Sequence, residues 1–300
     1  MRVIVILPLF AALLGFASCN GNKSNVPQDT LETGSIAISV DETYRPVIEA
    51  QLHVFDSSYP NAHITASYKP ESQCIKDFLE SKARLILVTR DLSAEELKYC
   101  RSAGFSPNSL AVASDGVAVI VNPASKDSTL KAEELRDILA GKSTEKYTVV
   151  FDNEGSSILR HATDSILKGQ PLGKNVFAAK SNPDVIDYVS KNKNAIGLVP
   201  QSFVTRPDDT ASAGSFITNV RVMAFYNEVE GYVQPYQAYV AEKAYPYTRR
   251  LYFINRETWP GLGTGFANFL KEERGQLIFK NAHFFPLRTN IIIRSAQLNR

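Results

Sequence analysis

Along most of the chain, short apolar runs alternate with stretches whose apolar residues recur every three to four positions. This predicts strands interleaved with helices. Residues 36–40 form a short apolar strand. Ile48, Leu52, Phe55 and Tyr59 then line one helical face, and Tyr59-Pro60-Asn61 stops that helix because a residue before Pro is pushed out of the α region. Residues 64–68 alternate like a strand, and residues 72–79 read as a helix. The apolar run at 85–89 predicts a strand buried on both faces, as in a parallel sheet. Ser93 and Glu96 have the spacing of a capping box that opens the next helix.

The same alternation continues downstream. Residues 117–121 make a strong strand that Asn122-Pro123 ends, and 133–139 read as a helix with Gly141 placed to cap it. Strands at 147–151 and 195–199 flank helices that begin near Ser156 and at Asn182-Pro183. There Asn182 is expected as N-cap and Pro183 in the first helical position. A long β region is expected over 216–225 and 236–240, then a helix around 266–279 and an extended tail. Strand–helix alternation of this kind implies an α/β fold with mainly parallel sheets.

The N-terminus breaks the pattern. Arg2 gives a positive start, residues 3–16 are apolar apart from one Pro and one Gly, and Ala17-Ser18-Cys19 closes the run. This predicts an export signal peptide over residues 1–18, too short for a stable membrane span. A Cys after two small residues resembles the lipobox of bacterial lipoproteins, which implies a lipid on Cys19 and a membrane anchor. Phe16 stands where that motif usually has Leu, and an ordinary secretory signal with an incidental Cys is the alternative. Residues 19–34, rich in Asn, Ser, Gly, Thr and Pro, read as the lipidated Cys and a flexible tether. No acidic cluster follows Cys19, which favours a lipoprotein facing the periplasm.

The mature chain of about 280 residues suggests two lobes rather than one. An apolar fraction of 44% and a charged fraction of 21% suit a globular protein with a sizeable core. The net charge of +2, without a basic block, argues against a nucleic-acid partner. Cys74 and Cys100 could form a disulfide in an exported protein or remain buried free thiols. With no C-x-x-C and four scattered His, no metal or cofactor site is expected.

Three polar clusters follow strands and precede helices: Asp41-Glu42-Thr43-Tyr44, Glu71-Ser72-Gln73 and Asn153-Glu154-Gly155-Ser156-Ser157. In open α/β sheets ligands bind beyond the carboxyl ends of strands, where helix N-termini offer unpaired N–H groups to anions. Simple N-capping by Ser, Thr or Asn accounts for any one cluster. Their convergence favours a binding site.

The order of elements from about residue 34 to 287 resembles the phosphate-binding proteins of the bacterial phosphate ABC transporter, within the type 2 periplasmic binding protein family. The match is carried by Asp115-Gly116-Val117-Ala118-Val119-Ile120-Val121-Asn122-Pro123 and by residues 135–141, similar to the family's L-x-D-I-x-x-G-K helix. It is carried further by Ala195-Ile196-Gly197-Leu198-Val199 and by Phe269-Leu270, Gly275-Gln276 and Pro286-Leu287. The resemblance implies two lobes joined by crossing strands, lobe 1 from 35–114 plus 235–300 and lobe 2 from 115–234. It further implies hinges near 114–117 and 232–236, and an oxyanion held dehydrated between the lobes of a monomer that serves a permease.

Site residues follow position by position. Thr43 and Tyr44 match the family's Thr-Phe pair, and Ser72 matches the Ser of its second loop. Gly155-Ser156-Ser157-Ile158 stands where the family has Gly-Ser-Gly-Thr, so Ser156 is kept and Ser157 takes the next position. Two departures concern charge. Thr89-Arg90 replaces the family's Ser-Asp, and Asp152 replaces its Arg. The expectation is a swap that preserves one cleft ion pair, Arg90 with Asp152, because a lone buried charge costs several kcal/mol. Arg90 would then give the anion bidentate donors.

The resulting expectation is a phosphate-binding lipoprotein that is not an enzyme. Binders of sulfate, molybdate or an organic phosphate are alternatives, as is a sensor or adaptor without ligand. An enzyme acting on phosphate esters has little support: His161 lies four and five residues from Ser157 and Ser156, the spacing of a helix face.

Overall fold

Leu85, Ile86, Leu87 and Val88 are all fully buried, because this strand sits inside a sheet with helices on both faces. The structure is a computed structural model that describes residues 29–144, 146–206 and 215–289. The signal segment, Cys19 and the first part of the tether lie outside the described residues. In chain order the first half contains β1 (Gly34–Asp41), α1 (Arg45–Ser58), β2 (Ala62–Lys69), α2 (Glu71–Leu79), β3 (Leu85–Val88), α3 (Ala94–Ser102) and β4 (Asn108–Val121). Next come β5 (Thr129–Leu130), α4 (Ala132–Leu139), β6 (Thr148–Phe151), α5 (Ser157–His161), β7 (Val176–Ala178), α6 (Asn182–Lys191) and β8 (Ala195–Pro200). The chain finishes with β9 (Arg221–Val222), β10 (Ala224–Asn227), β11 (Gly231–Val233), α7 (Gln237–Ala241), β12 (Thr248–Asn255), α8 (Leu262–Lys271), α9 (Glu273–Asn281) and β13 (Phe285–Pro286).

The main sheet runs β2-β1-β3-β12-β4-β8-β6-β7. β2, β1 and β3 are parallel, as are β8, β6 and β7. Between these blocks, β12 is antiparallel to β3 and β4, and β4 is antiparallel to β8. The fold is therefore mixed α/β with two lobes, each built on a parallel block. β4 has 14 residues, so at 3.4 Å per residue it spans roughly 45 Å and serves both lobes. Ile38, Phe55, Leu87 and Phe266 pack in one core, while Val119, Leu135, Val149 and Phe225 pack in another.

Four expectations need correction. Residues 236–240 do not continue a β region: Tyr236 is extended and precedes α7, with Val240 N–H returning to the Tyr236 carbonyl. A five-residue apolar run carries no decisive periodicity. The N-cap of α6 is Ser181, whose hydroxyl accepts from Asp184 N–H, and the expected C-terminal helix is two, broken at Glu272 where ψ is 169°. The second crossing also lies later in the chain. Tyr245 and Tyr247 still pack in the second core, and the chain rejoins the main sheet as β12 at Thr248.

The tether ends earlier than expected. Asp29 accepts two hydrogen bonds from Arg84, at 3.0 and 2.6 Å, and another from Leu262 N–H at the start of α8. Arg84 holds the Asp29 carboxyl below its ordinary pKa. Asp29→Ala should therefore lower unfolding stability by about 1.5–3 kcal/mol, since hydrogen bonds to charged groups contribute on that scale. Urea unfolding measures this, and an unchanged midpoint would show that the segment is not tied down.

Candidate functional site

Where β4 and β12 cross, Asp115 and Arg249 are direct cross-strand partners. Their side chains form an ion pair of 2.6 Å with each only 1% exposed. The next residue, Gly116, has to be Gly: a Cβ there would sit 2.8 Å from Pro235 and 3.2 Å from Gln201 Oε1. Tyr44 closes the pair from the first lobe. Its hydroxyl donates to Asp115 Oδ1 at 3.3 Å and its ring lies 5.5 Å from the Arg249 guanidinium carbon. Burial works against the charge on Arg249, but Asp115, Tyr44 and Asp41 outweigh it and hold the guanidinium protonated.

Arg249 extends this arrangement into the second lobe, where its Nη1 donates to Ser157 Oγ at 3.0 Å. Ser157 opens α5, and its hydroxyl lies 3.4 Å from Thr43 Oγ1 of the first lobe. Both residues are fully buried. Asp41 ends β1 and accepts Thr43 N–H on Oδ1, while its Oδ2 is buried with no hydrogen-bond partner. Burial first, then the neighbouring Glu71 carboxylate, raise the Asp41 carboxyl to about 7 against the pull of Arg249 and the Ser157 hydroxyl.

Asp152 and Ser156 form the second wall. Asp152 is fully buried and accepts from Asn182 Nδ2 at 3.3 Å; its other oxygen, Oδ1, is buried with no hydrogen-bond partner among the described residues. Burial raises its pKa, and the nearby Ser156 hydroxyl opposes the shift. Ser156 caps α5 by accepting Leu159 N–H at 3.1 Å. Further out the lobes touch directly. Ser72 N–H donates to the Gly155 carbonyl at 3.2 Å, and Asn153 Nδ2 donates to Glu42. A Cβ on Gly155 would fall 2.5 Å from Ser72 Oγ and 3.2 Å from Pro70 Cβ, so any larger residue would have to push the Ser72 hydroxyl aside.

The expected pair of Arg90 with Asp152 does not form. Both Arg90 terminal nitrogens go to Glu96, at 2.7 and 2.8 Å, and one also reaches the Asp91 carbonyl. Glu96 simultaneously accepts Ser93 N–H in the capping box, so one carboxylate caps α3 and neutralises Arg90. An ion pair among the described residues that does bridge the lobes is Arg160 with Glu71, at 2.6 Å. Glu71 also accepts the Thr89 N–H and hydroxyl, at 2.7 and 2.6 Å.

Thr43, Tyr44, Asp152, Ser156 and Ser157 thus gather at the crossing, and Ser72 sits exposed at its rim. Asp41, Glu71, Asp115, Arg160 and Arg249 are the polar members that the sequence reading left out of the site. Asp41 and Glu71 stood within the polar clusters, and Asp115 stood in the crossing-strand motif. Arg249 and Arg160 gave no signal, since an Arg within a strand or a short helix reads as a surface charge. His161 ends α5; burial, then Arg249 and Arg160, push its pKa down to about 3. Cys74 and Cys100 are free and buried in the first lobe.

Two lobes that share crossing strands and close over buried polar groups define the periplasmic binding protein architecture. The PBP superfamily domain matches residues 25–273, and the chain belongs to that superfamily. It is 22% identical over 209 residues to protein SphX of Synechococcus elongatus, covering 64% of this chain and 62% of that protein's length. Among solved structures, it resembles one from Clostridium perfringens described as a phosphate ABC transporter substrate-binding protein with bound phosphate. That match has a TM-score of 0.72 and 24% identity, over 85% of this chain and 100% of the other. An ABC-type phosphate transport receptor from Vibrio cholerae matches with TM-score 0.66 and 17% identity, over 84% of this chain and 100% of the other.

Two buried groups here give opposite pH dependences. Asp41 holds its proton more tightly when folded, so its contribution to stability declines as pH rises from 3.8 to about 7. His161 holds its proton less tightly when folded, so its contribution is lost as pH falls from 6.5 to about 3. Relative to the parent, Asp41→Asn should therefore lose more stability on acidification, and His161→Leu should lose less. Denaturant titrations across this range measure both, and parallel curves for parent and variants would contradict the assignment.

Proposed function

We propose that this chain is an extracytoplasmic receptor that binds an oxyanion, phosphate foremost, between its lobes and delivers it to an ABC transporter permease while anchored through lipid on Cys19. The observation that carries the reading is the meeting of Thr43 and Ser157, hydroxyls from opposite lobes, 3.4 Å apart beside a buried guanidinium. Ser157 Oγ already accepts from Arg249 and Ser156 Oγ from Leu159 N–H, so the proton of each hydroxyl, drawn toward Asp41 and Asp152 respectively, is the one an anion oxygen would take. Thr43, Ser156, Ser157 and Arg249 supply the donors, Ser72 guards the rim, and Asp41 and Asp152 set the protonation of the ligand. Tyr44 acts through Asp115, which it holds against Arg249. Arg90 is left out because Glu96 occupies it.

Phosphate bound in the Clostridium perfringens protein supports this choice of ligand. Opening would break the direct contacts between lobes, including Arg160–Glu71, and turn at residues 114–117 and 247–249. Closure excludes water, and in that low-dielectric cleft each hydrogen bond to the anion strengthens. The binding reading is favoured over an enzymatic one because, among the described residues, neither Ser156 nor Ser157 hydrogen-bonds His161: their hydroxyl oxygens accept from Leu159 N–H and Arg249 instead.

Isothermal titration with inorganic phosphate should show one site. Ser157→Ala should weaken it about tenfold, the loss of one well-made hydrogen bond, and Arg90→Ala should leave affinity unchanged. Absence of phosphate binding, or equal affinity for Ser157→Ala, would overturn the assignment. Metabolic labelling with a radioactive fatty acid should mark the parent and not Cys19→Ser; equal labelling of the two would remove the anchor.

A further inference from the structure

The cleft holds more buried acid than its anionic cargo would tolerate. Asp41, Glu71, Asp115 and Asp152 are all buried in or beside it. Arg249 neutralises Asp115 and Arg160 neutralises Glu71, which leaves Asp41 and Asp152 with no ion-pair partner among the described residues. A buried carboxylate next to an incoming anion is a direct repulsion at short range and low dielectric. It also competes for donors. The Ser157 hydroxyl is drawn toward Asp41, and an anion needs that same proton.

We propose that the cleft takes up its oxyanion together with one proton from solvent, and that this proton resides on Asp41. The inference rests on the receptor reading above and adds the proton to it. As a neutral acid, Asp41 stops competing for Ser157, loses its repulsion, and turns its unpartnered Oδ2 into an O–H donor.

The surroundings of Asp41 are consistent with this. Glu71 and Cys74 on α2 face it and oppose its ionisation or are opposed by it. Arg249 on β12, the Ser157 hydroxyl on α5 and the Thr43 N–H favour the carboxylate, and Tyr44 stands beside it. Arg249 is already committed to Asp115 and Ser157. Burial and Glu71 place the titration of Asp41 at about 7, so the carboxyl changes state within the ordinary pH range. An anion in the cleft raises that value further, and binding above this pH therefore draws in a proton.

The test is isothermal titration of inorganic phosphate at about pH 8–9, in two buffers of different ionisation enthalpy, with the parent and Asp41→Asn. Asn mimics the neutral acid. The parent should take up about one proton per phosphate and lose affinity about tenfold for each pH unit. Asp41→Asn should take up about none and keep its affinity across the range. Should that variant fold poorly, the parent alone should gain a protonated-carboxyl band in the infrared difference spectrum on binding phosphate. No proton uptake by the parent, equal uptake by Asp41→Asn, or no such band would overturn the inference while leaving the phosphate reading intact. No phosphate binding at any pH would instead overturn that reading, and this inference with it.

Discussion

The Arg249–Asp115 pair governs the rest of the structure. Taking two charges out of water costs several kcal/mol per ion, and attraction repays this only with tight geometry and full hydrogen bonding. The crossing of β4 and β12 supplies that geometry by making the two residues register partners. Tyr44 completes Asp115 from the first lobe, and Ser157 accepts from Arg249 in the second. One ion pair at the pivot therefore touches both halves of the molecule. The polar floor of the cleft is built on it, and so is the register of the strands through which the lobes would turn.

Around this pivot the lobes meet through a second pair. Arg160 on α5 reaches Glu71 on α2, and Glu71 organises the Thr89 turn after β3. The resemblance to phosphate-binding proteins leads one to expect an acid on the first lobe opposite a base on the second. Glu71 and Arg160 keep that polarity from other positions in the chain, so no exchange of signs is needed. Arg90 and Asp152 are then released to local roles. Arg90 braces the α3 cap through Glu96, and Asp152 lines the cleft near Asn182 and Ser156.

Elements with a clean apolar period were legible in the chain, because periodicity reports which face is buried. α1, α2 and α4 fall where the apolar face of 48–59 and the helical readings of 72–79 and 133–139 predict them, and β3 and β8 match their apolar runs. Two of the elements that went unread carry polar residues on a buried face. β12 buries Arg249, Leu251 and Phe253 in alternation, and the Arg hides the strand signal. The first half of β4 is interrupted by Ser114 and Asp115 for the same reason. Candidate site residues at helix starts, such as Thr43 and Ser157, were visible because cap chemistry marks them. Arg249 and Arg160 were not, since their role depends on a fold-level meeting that no local pattern records. The capping box of Ser93 and Glu96 was legible, but its second use as the partner of Arg90 was not.

The central claim is that hydroxyls from two lobes and one buried guanidinium converge on a single anion. A crystal structure of the protein grown with phosphate tests it directly. A tetrahedral anion should lie between the lobes, with its oxygens bonded to the Thr43 and Ser157 hydroxyls and to Arg249. Phosphate bound only on an outer face, with those three groups still bonded to one another, would contradict it.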